Sequence, residues 1–234
     1  AANFGGQKVA AIVTDTENFG DAVAGWEQGV QQSGLNYYRT LRHPKGDTSW
    51  YNTFALELAQ NDVDIVYVNS SPVDYLRFAQ QASGQGFRPQ YVGVGITMGL
   101  NALLGSGCGE GAPVDGGIFF SPFPGLDWAR DNEPEFFEAA GRFGTPSDDI
   151  ALALWAQGKI LAQLLESYEA TYGSNDVTRE DFRNLVETSQ VSTGVFPDLA
   201  YSAEDHFGAD TVHVLQADCS AGEHRTLATF ASGF

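Results

Sequence analysis

Short apolar runs recur through the first half of the chain, each followed by a polar loop and then by apolar positions at helical spacing. Val9 to Val13 is the first run, unbroken by polar residues, which predicts a strand covered on both faces of a parallel sheet. Thr14 to Asn18 is polar, and Phe19 and Gly20 close the loop. Ala22, Val23, Trp26 and Val30 then predict a helix that Gly34 stops. The unit repeats. Asn36–Leu41 predicts a second strand ending in the turn His43-Pro44-Lys45-Gly46-Asp47, and Trp50–Gln60 predicts a helix with Asp47 or Thr48 as its cap. Asp64–Asn69 is a third strand, Val73–Ser83 a helix, Gln90–Val94 a fourth strand, Met98–Leu104 a short helix and Gly117–Ser121 a fifth strand. This alternation predicts an α/β fold: a three-layer αβα parallel sheet with right-handed crossovers.

After Ser121 the pattern changes. Pro122, Pro124 and Gly125 make residues 122–132 a linker candidate. The stretch from Glu133 to Gln190 then reads helical, with helices over Pro134–Phe143, Ser147–Tyr172 and Thr178–Thr188. Thr178 and Asp181 have the spacing of a capping box. Tyr201–Gly208 is polar loop, and strands over Thr211–Gln216 and His224–Phe230 are joined by a hairpin through Cys219 to Gly222. The three helices carry wide apolar faces with no strands of their own to cover. Their partner is the first sheet, another subunit, or a part of the protein that this chain lacks.

Charge narrows the function. Thirty acidic residues against 12 basic ones give a net charge of −18, which disfavours nucleic acid and anionic membrane surfaces as partners. Acidity of this kind keeps an exported or salt-exposed protein soluble. No apolar run approaches the roughly 20 residues of a membrane helix. Cys108 and Cys219 both sit in Gly- or Ser-rich loop sequence, GSGCGEG and ADCSAG. One disulfide between them is favoured over two free thiols, since an exposed free thiol is a liability.

Catalytic motifs are absent from the sequence: no HExxH, no Gly-x-Ser-x-Gly elbow, no phosphate-binding glycine loop. Asp15 with Glu17, and Glu204-Asp205-His206, read as solvated loops before they read as metal or acid–base clusters. What recurs at the carboxyl ends of the strands is a row of small polar and aromatic groups: Asn18 and Phe19, Asn69 to Ser71, Gly95 to Thr97, and Ser121. In open parallel sheets, ligands lie beyond those ends, and such groups bind a small molecule without reacting with it. No enzyme activity and no cofactor are expected.

KVAAIVTDTENFGDAVAGWEQGVQQSG resembles the opening of the second lobe of branched-chain amino-acid-type substrate-binding proteins of ABC importers, the type I periplasmic binding fold (Leu-Ile-Val-binding-protein-like). DIVYVNSSPVDYLRFAQQASGQGFRPQYVGVG resembles the next two units of that lobe, VDGGIFFSPFPGLD the strand leaving through the hinge, and DDIALALWAQGKILAQLLESYE the long helix after it. YSAEDHFGADTVHVLQADCSAGEHRTLATF resembles the return to the second lobe. The resemblance implies two lobes that close on a ligand in the cleft between them. It assigns 1–123 with 200–234 to the second lobe, and 124–199 to the hinge crossing and an all-helical part of the first lobe. The N-terminal part of that first lobe is then missing. It implies ligand contacts from Asn18, Phe19, Ser70, Ser71, Gly95, Ile96 and, at the hinge edge, Ser121.

Amino-acid binders of this type place an acidic residue after the fourth strand to pair with the ligand ammonium. Here that loop is Gly95-Ile96-Thr97, so a neutral or anionic metabolite is at least as well suited as an amino acid. The implied function is capture of a small polar metabolite, an amino acid or related compound, outside the cytoplasm, in the periplasm or as a cell-surface lipoprotein. Delivery is to ABC permease subunits. The alternative is a ligand-sensing domain of a receptor or regulator with the same fold. A second copy, or a chain supplying the missing lobe, is expected to cover helices 134–188.

Overall fold

The computed structural model describes residues 8–94, 100–109, 111–174, 176–195, 198–206, 208 and 211–231. Its elements follow the alternating pattern: β1 Lys8–Thr14, a single 3-10 turn Glu17–Phe19, α1 Gly20–Ser33, β2 Asn36–His43, α2 Trp50–Gln60, β3 Ile65–Asn69, α3 Pro72–Gly84, β4 Gln90–Val94, α4 Leu100–Gly107 and β5 Ile118–Ser121. Then come α5 Leu126–Asn132, α6 Pro134–Phe143, α7 Asp149–Tyr172, α8 Arg179–Val186, β6 Gln190–Val191, β7 Leu199–Ala200, β8 Thr211–Asp218 and β9 Glu223–Ala231. The main sheet has the order β2-β1-β3-β4-β5-β8-β9. The pairs β1/β2, β1/β3, β3/β4 and β4/β5 are parallel. The fold is therefore a mostly parallel sheet flanked by helices, the α/β class that strand–helix alternation predicts.

Two compact units divide the chain: Ala1–Phe120 with Leu215–Arg225, and Ser121–Val214 with Thr226–Phe234. The chain passes between them within β5, β8 and β9.

In the first unit, alternate residues of the central strands face opposite ways. Ala10, Ile12, Val66, Val68, Tyr91, Phe119, Leu215 and Ala217 pack in one core with α2, α3 and α4. The other face carries Val9, Ala11, Val13, Ile65 and Tyr67, all buried, and Trp26 of α1 stacks on Tyr67 with ring centroids 4.6 Å apart. Burial on both faces is why β1 reads as a continuous apolar run. At the end of α4 the packing is close: a Cβ added to Gly107 would stand 2.5 Å from Val114. Cys108 follows directly and is disulfide-bonded to Cys219.

The second unit corrects two expectations. Residues 126–132 of the linker candidate form α5, because Leu126 and Ala129 are buried against Phe136, Leu152 and Ala156. The helical stretch does have strands of its own: antiparallel β6 and β7 place Val191 and Leu199 against Leu164 of α7. Helix α7 starts at Asp149, capped by Asp148, whose carboxylate accepts from the Ala151 N–H. Glu133, buried between α5 and α6, is held by Lys159 at 2.8 Å and by the Trp155 indole N–H at 3.0 Å.

Candidate functional site

The carboxyl ends of β1, β2 and β3 meet in the first unit, since Val13 pairs with Arg42 on one side and with Asn69 on the other. Beneath the loops that leave these ends lies a buried polar cluster. Thr14, His43 and Ser70 are all less than a tenth exposed. The Ser70 hydroxyl lies 2.7 Å from Thr14 Oγ1 and 3.1 Å from His43 Nε2, and donates to Asp74 Oδ2 at 2.9 Å. Asp74, in the first turn of α3, also accepts from the Ser71 hydroxyl at 2.7 Å and from Tyr51 at 2.6 Å. Burial pushes the Asp74 carboxyl up. The hydrogen bonds from Tyr51, Ser71 and Ser70 and the nearby His43 outweigh it, so the carboxyl is held below the usual range. Burial and the Asp74 charge raise the Tyr51 phenol well above its ordinary value.

A second group of polar atoms has no partner. Thr16 Oγ1, Asn69 Nδ2 and Trp26 Nε1 are buried without a hydrogen bond. Asn69 lies two residues beyond Tyr67 on the α1 side of β3, and Thr16 lies just beyond the end of β1. Burial pushes the Tyr67 phenol up to about 12. A buried donor left unmade costs roughly 1–3 kcal/mol, so a group that accepted from these atoms would recover part of that cost.

The expected ligand contacts fall out as follows. Phe19 ends the 3-10 turn, half-buried, its N–H on the Thr16 carbonyl at 3.2 Å. Asn18 is in the same turn. Ser70 has its hydroxyl occupied inside the protein. Ser71 is the N-cap of α3, accepting from the Asp74 N–H at 3.1 Å. Gly95 and Ile96 lie outside the described residues. Ser121 belongs to the second unit, where its buried hydroxyl accepts from the Phe123 N–H. Sequence reasoning missed His43, Asp74 and Tyr51 altogether. His43-Pro44 reads as a turn, and nothing in that dipeptide signals burial; the Ser71/Asp74 spacing is a legible capping box.

Asp15 makes an exposed 3.6 Å ion pair with Arg42, and Glu204 and Asp205 donate their N–H groups to the Ser202 hydroxyl in an exposed turn. Among the described residues, no group of three His, Cys, Asp or Glu side chains is placed to hold a metal ion. Nor is any described helix long and apolar enough to cross a membrane.

The model of a family described as periplasmic binding protein matches residues 1–223. The chain belongs to the periplasmic binding protein family. Periplasmic binding proteins of this family act outside the cytoplasm, bind small-molecule ligands and work with ABC permeases. The fold agrees with solved structures. A fatty acid ABC transporter substrate-binding protein from Thermomonospora curvata is 18% identical with a TM-score of 0.78, over 97% of this chain and 58% of that one. A solute-binding protein of an ABC transporter from Rhodopseudomonas palustris, in complex with 3,4-dihydroxy benzoic acid, is 15% identical with a TM-score of 0.77, over 99% and 62%. A branched chain amino acid ABC transporter from Thermus thermophilus with bound valine is 16% identical with a TM-score of 0.76, over 97% and 61%. This periplasmic binding protein thus spans less than two thirds of the length of these structures. No curated protein matches it.

Proposed function

We propose that this chain captures a small carboxylate-bearing metabolite for an ABC importer, with no chemical step, and that the loops after β1 and β3 form one wall of the ligand site. The observation that carries this reading is the set of buried, unpartnered polar atoms at that end of the sheet: Thr16 Oγ1, Asn69 Nδ2 and Trp26 Nε1. Two of the three are obligate donors, so they suit an acceptor, and a carboxylate offers two oxygens. Valine, 3,4-dihydroxy benzoic acid and a fatty acid, the molecules in the names of the similar structures, share that group. Phe19, with Asn18 in the same turn, and Ser71 belong to the loops proposed as this wall; Gly95, Ile96 and Ser121 are carried as contacts by the family resemblance alone.

Titration of the full chain with valine, benzoate and octanoate tests this, read by intrinsic tryptophan fluorescence and by calorimetry. At least one should give a saturable change that Asn69→Leu weakens about tenfold, the worth of one buried hydrogen bond to a charged group. If none of the three saturates, or if Asn69→Leu binds as well as the parent, the reading is wrong.

A further inference from the structure

The buried cluster beneath the ligand loops has a hydrogen count. Four links need one hydrogen each: His43 Nδ1 to the Pro44 carbonyl at 3.1 Å, His43 Nε2 to Ser70 Oγ at 3.1 Å, Thr14 Oγ1 to Ser70 Oγ at 2.7 Å, and Ser70 Oγ to Asp74 Oδ2 at 2.9 Å. The Pro44 carbonyl can only accept. So can Asp74, whose three hydroxyl partners keep it ionised. Thr14 and Ser70 supply one hydrogen apiece, and a neutral imidazole supplies one more, which leaves a link unmade. An imidazolium supplies two and completes the set. Routing the Thr14 hydrogen to Nε2 does not help, because that separation is 3.4 Å and the 2.7 Å oxygen–oxygen link would then lose its hydrogen.

We propose that His43 carries a proton on both ring nitrogens in the folded protein. This imidazolium, relayed through Ser70 to the Asp74 carboxylate, is the positioning group that fixes the loops after β1 and β3. The positioning role rests on the ligand reading above; the protonation state does not. His43 is 1% exposed, so its charge needs compensation from its surroundings. Trp50 of α2 supplies part, its ring parallel to the imidazole with centroids 4.1 Å apart. Asp74 supplies the countercharge through one hydroxyl. The other charged group close enough to interact with the ring is Asp47 in the loop before α2, and Tyr51 of α2 meets the cluster through Asp74, with Arg77 of α3 acting on Tyr51. From the β1 side come the Thr14 hydroxyl and Asp15, whose N–H donates to the His43 carbonyl at 2.8 Å. The brace thus joins the ends of three strands and the first turn of α3 through one proton. Ser70 is on this account a positioning residue.

Ring ¹H–¹⁵N spectra of the full chain labelled at histidine test the proposal near neutral pH. His43 is assigned by elimination with His206→Gln, His213→Gln and His224→Leu. Both of its nitrogens should resonate as protonated. Asp74→Asn should return Nε2 to the bare-nitrogen position, because the new amide can donate to Ser70 and release the Ser70 hydrogen to the ring. A singly protonated ring in the parent protein, or an Asp74→Asn ring that stays doubly protonated, overturns the relay. Amide exchange reads the positioning role without any ligand. The amides of residues 15–20 and of Ser70 and Ser71 should exchange about tenfold faster in Asp74→Asn while the middle of β3 is unchanged. Equal exchange in those loops overturns that role, whatever the valine, benzoate and octanoate titrations show.

Discussion

At the scale of single residues, the first unit contains two buried histidines in opposite circumstances. His43 is surrounded by partners. His224 has none for either ring nitrogen, and its ring packs edge-to-face with Phe119, centroids 5.4 Å apart. Burial pushes the His224 imidazole down to about 4. A folded-state value below the unfolded one means that the unfolded chain takes the proton first. Stability is therefore complete above about pH 6.5 and is lost as pH falls toward about 4. That gap, at 1.36 kcal/mol per unit, is worth about 3 kcal/mol. Urea unfolding of the parent at several pH values through this window should show the loss, and His224→Leu should remove most of it. An unchanged pH slope in the variant would assign the acid sensitivity elsewhere. Neither histidine is legible from sequence as buried. His43 ends β2 and precedes a proline, and His224 alternates with charged Glu223 and Arg225, so their environments come from which strands the topology makes neighbours.

Elements were far more legible than sites, for a physical reason. Local periodicity and capping chemistry act over four residues, whereas a site gathers residues from distant elements. Helices α2 and α6 and strand β4 begin and end where the apolar periodicity places them, and in the structure Gly144 caps the end of α6. The cap of α2 is subtler. Ser49 is the terminal residue, yet the Asp47 carboxylate, upstream of it, accepts both the Ser49 N–H and its hydroxyl at 2.8 Å. Helix α8 shows half of the capping box: Thr178 Oγ1 accepts from the Asp181 N–H and donates to the Asp181 carboxylate, while the Thr178 N–H donates to the Tyr168 hydroxyl. Thr178→Ala should cost about 1 kcal/mol in urea unfolding, with the slope unchanged. A loss near zero would mean that α8 is held by packing alone. Short strands such as β6 and β7, two residues each, carry too little pattern to be seen in advance. The same holds for α5, whose prolines and glycine precede the helix and mask its apolar face.

For the molecule as a whole, the surface of α7 matters most. Leu154, Leu161, Leu165 and Tyr172 are 61%, 51%, 42% and 41% exposed, and their spacing puts them along one side of the helix. A continuous apolar stripe of this kind is unusual on a solitary soluble protein. The chain alone should therefore bind an apolar dye such as ANS in its native state, and Leu154→Glu with Leu161→Glu should abolish most of that signal. Undiminished dye binding by the variant would move the sticky surface elsewhere. Cover by a second copy or by further polypeptide would protect the stripe in the same assay.

The Cys108–Cys219 bond spans 111 residues of sequence, and the chain leaves the first unit and re-enters it between those two cysteines. A protease that nicks an exposed turn of the second unit, such as Ser202 to His206, would therefore not release a fragment. Both pieces would travel as one band without reductant and separate only when it is added. In an oxidising compartment the cut molecule keeps β8 and the turn after it tethered to the sheet they complete, so a single break in the backbone need not end its working life.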